Sequence, residues 1–113
     1  MVMALLDYPF EVINTEIAGH LVEGVIANNI ENSAFWRSPQ KDEVDVITKD
    51  KLPIEVKYQS RIIKQDIKPM LKFCRKFNVD RGIIVTRDVL EKREIDNIEI
   101  LLIPAWLFLL FWD

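Results

Sequence analysis

Residues 43–59, EVDVITKDKLPIEVKYQ, decide how this 113-residue chain is read. Two short runs, Glu43 to Thr48 and Leu52 to Tyr58, are joined by a turn at Asp50-Lys51, the pattern of a β-hairpin. In the first run Val44 and Val46 are expected on one face and Glu43, Asp45 and Ile47 on the other. In the second, Ile54, Val56 and Tyr58 oppose Glu55, Lys57 and Gln59. Antiparallel pairing then brings Asp45 onto the face that carries Glu55 and Lys57. Two carboxylates and an amine converge. Hard oxygen ligands of this kind, completed by water and a main-chain carbonyl, suit Mg²⁺ or Mn²⁺. Phosphodiester cleavage requires an activated water and neutralisation of charge on the phosphoryl and leaving oxygens, and these residue types supply candidates for each.

Upstream, apolar residues at Ile17, Leu21, Val22, Val25, Ile26 and Ile30 recur at helical spacing between Glu16 and Glu31, with Asn14 or Thr15 as a cap. Glu23 falls about 20° beyond the edge of that apolar stripe, so its carboxylate is expected beside the sheet. Ala34 to Arg37 reads as a strand and residues 38–42 as a turn. Downstream, Ile67, Met70, Leu71, Cys74 and Phe77 form the stripe of a second helix, with Asp66 as its cap and Pro69 in its first turn. Lys64, Lys68, Lys72 and Lys76 form one ridge on that helix. Gly82 to Thr86 reads as a strand, Arg87 to Asn97 as a polar segment, Ile98 to Ile103 as a strand, and Pro104 as the start of a short apolar helix. The expected fold class is α/β (α+β), a mixed central sheet flanked by helices in the order α-β-β-β-α-β, with an apolar strand and helix at the end.

The length suits one domain over residues 1–113. Cys74 and His20 are each alone, which excludes a disulfide framework, a Cys–His pair and a zinc site of those residues. With no signal-peptide pattern at the start and only thirteen uncharged residues from Ile100 to Trp112, the chain is expected to be cytoplasmic, without a membrane span. That apolar stretch is expected to be core, or else a contact for another domain or for a second copy in a homodimer. Charge is polarised. Lys57 to Arg93 holds eleven Lys/Arg against four Asp/Glu, a net of +7, and the other residues hold four against fourteen, a net of −10. A basic helix near an acidic pocket suits a protein that holds DNA phosphates while gathering a cation. Lys64, Lys68, Lys72, Lys76 and Arg37 are the candidate nucleic-acid contacts. Trp36, Tyr58, Trp106 and Trp112 are expected to fill core rather than stack on bases.

The segments GHLVEGVIANNI, FWRSPQKDEVDVI, LPIEVKYQ, RGIIVTRD and IPAWLFLL together resemble the C-terminal nuclease-like domain of archaeal and bacterial AAA-type ATPases, part of the PD-(D/E)xK nuclease superfamily. The archaeal Holliday-junction resolvases share that core and are the next match. The resemblance spans roughly residues 18–112 and implies a restriction-endonuclease-like core. It also implies Mg²⁺- or Mn²⁺-dependent DNA cleavage, with Glu23, Asp45, Glu55 and Lys57 in the superfamily's site positions. Asp45, Glu55 and Glu23 are the implied metal ligands and Gln59 a secondary candidate. No G-x-x-x-x-G-K-[ST] loop occurs in the chain, so the expected ATPase partner lies outside it, and residues 1–13 are expected to be a linker remnant. The alternatives are a catalytically inactive DNA-binding domain and a protein-interaction domain of such an ATPase.

Overall fold

The computed structural model describes residues 15–29 and 34–111. The expected cap at Asn14, the helix end at Ile30 and Glu31, and Trp112 fall outside them, as do the side chains of Thr15 and Ile17. Among the described residues three helices and six strands follow in the order α1 (Thr15–Asn29), β1 (Ala34–Arg37), β2 (Glu43–Ile47), β3 (Pro53–Val56), α2 (Lys64–Phe77), β4 (Arg81–Thr86), β5 (Glu91–Ile95), β6 (Ile98–Pro104) and α3 (Ala105–Phe111). The strands form one mixed sheet ordered β1-β2-β3-β4-β6-β5. β1, β2 and β3 pair antiparallel, β3, β4 and β6 pair parallel, and β5 returns antiparallel on β6. α2 is the crossover that makes the parallel β3–β4 pair possible.

Strand alternation divides the core. On one face Val22 and Ile26 of α1 and Phe108 and Leu109 of α3 pack on Ile54, Val56, Val85 and Ile103. On the other, Ile67, Met70, Leu71, Phe73 and Cys74 of α2 pack on Ile84, Ile100 and Leu102. Fully burying each of these large side chains contributes roughly 1.5–3 kcal/mol before ordering costs are subtracted. Trp36, half-buried, packs against the second of these cores, its ring standing edge-on to Phe73 and Phe77 at centroid distances of 5.7 and 6.4 Å, whereas Trp106, also expected in the core, is exposed.

Three local expectations need correction. Val44 and Val46 pack on opposite faces, because β2 carries an extra residue relative to β1 between the pairs Ala34↔Ile47 and Trp36↔Val44. This irregularity interrupts the alternation at Asp45 and Val46. Asp66 is not the cap of α2. Ile63 precedes the helix, and Asp66, three residues on, accepts the Ile63 N–H at 2.9 Å, the return half of a capping box. Pro69 consequently sits in the second turn, where it withdraws a donor from the Gln65 carbonyl. The helix ends at Asn78 in the left-handed region, with its N–H on the Cys74 carbonyl.

The polar segment after β4 contains a strand, β5. Asp96 and Asn97 both have positive φ, 53° and 66°, and close a two-residue hairpin onto β6. Glu91, Lys92 and Glu94 are exposed, so this edge strand shows no apolar alternation, and its charges discourage pairing with another sheet.

Gly82 brings β4 against α2. A Cβ there would stand 2.4 Å from Met70 Sδ, and Met70 is fully buried. Gly82→Ala is therefore expected to displace Met70 and cost about 1–3 kcal/mol, read as a lower urea midpoint with an unchanged slope. An unaltered midpoint would mean that the packing here is loose.

Candidate functional site

The β2–β3 ladder stops at Val46↔Ile54. Past that point the Val56 N–H is taken by a side chain, donating to Asp45 Oδ2 at 2.9 Å. Asp45 is thus fixed at the β2 irregularity with one oxygen committed to the backbone. The Glu55 and Glu23 carboxyls lie close enough for Asp45 to raise both. The three carboxyl groups form a chain with Asp45 in the middle, running from buried Glu55, 4 % exposed, to half-buried Glu23 on α1.

Three carboxyl groups so close cannot all ionise freely. Burial first, and Asp45 second, push Glu55 up to about 10 from an ordinary 4.5, with Lys57 opposing. Glu55 is therefore a neutral acid at pH 7. Burial and Asp45 also raise Glu23, while His20, whose Nδ1 lies 3.3 Å from Glu23 Oε2, pulls it down. Among the described residues no group of three His, Cys, Asp or Glu side chains is placed so that it could hold a metal ion.

Glu23 opens onto a cleft of about 360 Å³ formed by Gly19, His20 and Glu23 of α1 and by residues 56–59. Val56 and Tyr58, which pack on the α1 face of the sheet, line it together with Lys57 and Gln59, which strict alternation would send to the other face. The chain leaves β3 after Val56 and turns tightly, with Gln59 N–H on the Lys57 carbonyl at 2.7 Å. The cleft floor is tied to the neighbouring strand by Lys57 N–H on the Val85 carbonyl at 2.9 Å. Burial raises the Tyr58 hydroxyl and the nearby Arg87 opposes this.

The four principal site residues are thus brought together, Asp45 and Glu55 behind the cleft and Glu23 and Lys57 on its wall. The lysine ridge is elsewhere. α2 covers the face of the sheet opposite α1, and Lys64, Lys68, Lys72 and Lys76 lie along it. Lys72 Nζ is 2.6 Å from Asp42 Oδ2, and this hydrogen bond holds the Asp42 carboxyl below its ordinary range. Lys76 lies over the Phe77 ring, 5.7 Å from its centroid. Arg37 is paired with Glu43 at 2.6 Å, on β1 at the sheet edge. Cys74 is buried and its thiol is pushed up to about 11, which suits packing rather than nucleophilic work. α3 leaves Trp106 and Leu110 exposed. No helix among the described residues is long and apolar enough to cross a membrane.

A family model described as Domain of unknown function (DUF4143) matches residues 12–107, and the chain belongs to that family. No curated protein and no solved structure matches the chain.

Proposed function

We propose that this DUF4143 domain is a divalent-metal-dependent nuclease with a restriction-endonuclease-like α-β-β-β-α-β core, hydrolysing phosphodiester bonds in DNA at the α1 cleft. The observation that carries the reading is the cluster of carboxyls Glu23, Asp45 and Glu55, which perturb one another beside a cleft that Glu23 and Lys57 line. The element order supports it too, since an antiparallel β1-β2-β3 meander continues through α2 into parallel β4.

Oxygen donors of this kind suit a hard cation. Asp45 and Glu55 would hold Mg²⁺ or Mn²⁺, with Glu23 as a further oxygen ligand directly or through water. Such an ion supplies Lewis-acid charge and an acidified water. Within the chain itself, Lys57 places a positive charge in the cleft for the phosphoryl oxygens and the attacking water, and Gln59 offers an amide donor beside it. Glu55 must give up its proton before it can ligate.

A second reading, a non-catalytic DNA-binding module of an AAA-type ATPase, is favoured by the depth and neutrality of Glu55. Incubation with supercoiled plasmid separates the two. Nicking with Mg²⁺ or Mn²⁺ that chelation abolishes is the expected result. Plasmid that is bound but left intact with both ions would select the second reading.

A further inference from the structure

The arginines divide into two groups. Arg37, Arg75, Arg81 and Arg93 each have a carboxylate within ion-pair distance, on Glu43, Asp96, Asp80 and Glu91 respectively. Arg61 and Arg87 have no such partner among the described residues, and both are exposed. These two stand on the loops that leave the C-terminal ends of the parallel strands β3 and β4.

The two loops are fastened to each other. Arg87 N–H donates to the Gln59 carbonyl at 3.1 Å, and Ser60 Oγ donates to Asp88 Oδ2 at 3.2 Å. Gln59 lines the cleft, and the Arg87 guanidinium acts electrostatically on Tyr58, another lining residue. Unpaired guanidinium groups therefore stand on two loops tied to each other, at the C-terminal ends of parallel strands, where ligands of α/β folds bind.

We infer that Arg61 and Arg87 grip the phosphodiester backbone of a nucleic-acid strand whose adjoining phosphate lies at Lys57. The inference rests on the nuclease reading of the cleft and deepens it by assigning the strand's path. An arginine fork matches phosphate oxygens in pairs, and no existing ion pair has to break for these two to engage. The lysine ridge of α2 is placed on the opposite face of the sheet, with Lys72 held by Asp42.

The test is binding of a fluorescent duplex, and of the corresponding single strand, across a salt series without added metal. Wild type is compared with Arg61→Ala/Arg87→Ala and with Lys64→Ala/Lys68→Ala, all with matched thermal melts. The arginine variant is expected to bind more weakly and to lose about two from the log–log salt slope, while the lysine variant keeps the wild-type slope. An unchanged slope in the arginine variant, a loss confined to the lysine variant, or no wild-type binding overturns the assignment. So does displacement of the strand by millimolar inorganic phosphate, which would mark a site for the free anion. Because binding is read without turnover, a domain that binds through the arginines but never nicks plasmid would sink the nuclease reading and leave this contact standing.

Discussion

Asp45→Asn is expected to lower metal-dependent strand cleavage by about 10³-fold, the largest functional loss of any single substitution here. Asp45 is the one side chain that acts on both other carboxyls, so its charge is the hinge of the site. Asparagine is the informative replacement. It keeps an oxygen for the Val56 N–H, whereas alanine would leave that strand amide without its acceptor and cost about 1–3 kcal/mol of stability. Loss of cleavage in a variant that melts with the wild type would then report chemistry rather than folding. Lys57→Met should fall by about 10²–10³-fold through loss of the cleft's positive charge, with less effect on metal affinity. Single-turnover cleavage assays with Mn²⁺ measure both, and a fully active Asp45→Asn would remove Asp45 from the mechanism.

The largest stability effect should come from Glu55→Gln. The folded protein holds the Glu55 proton up to about pH 10, while an unfolded chain releases it near 4.5. Between those limits the native state binds more protons than the unfolded state. The contribution of Glu55 to stability is thus fully retained below about pH 4.5 and declines as pH rises toward 10. At pH 7 the cumulative loss is on the order of 3 kcal/mol. Glutamine is neutral at every pH. The variant should therefore be nearly equal to wild type at pH 4 and on the order of 3 kcal/mol more stable at pH 7, with the gap widening further toward pH 9. Urea unfolding at pH 4, 7 and 9 decides this, and a variant that is less stable throughout would show that burial of Glu55 is not costly. The same substitution should abolish Mg²⁺-induced stabilisation, since an amide cannot become the carboxylate that the ion requires.

Much of this architecture is legible from periodicity. The α2 stripe at Ile67, Met70, Leu71 and Cys74 meets the sheet as a 3.6-residue repeat requires, and the runs around Ile84 and Ile100 become parallel core strands. What escapes is set by neighbours distant in the chain. β5 is hidden because Ile95 is the one apolar residue among its five, so this edge strand offers no alternation to read, although Asp96-Asn97 is a readable turn signal. The irregularity at Asp45 and the turn after Val56 break strand alternation at the site itself, where local pattern is the poorest guide. Likewise, nothing near Arg61 or Arg87 in sequence distinguishes them from Arg75. Its partner Asp96 lies 21 residues away, and only the folded chain reveals who is paired.

The fastening of the cleft floor also bears on when the site comes into existence. Lys57 meets Val85, Gln59 meets Arg87 and Ser60 meets Asp88, each across 28 residues of chain. None of these contacts can precede the docking of the whole α2 crossover, whereas the β5–β6 hairpin needs only its own two-residue turn. Closing that long loop costs entropy that local contacts do not repay. The carboxyl chain and its cleft thus mature late in folding, so a nascent or partly opened domain carries its basic helix before it carries a complete site.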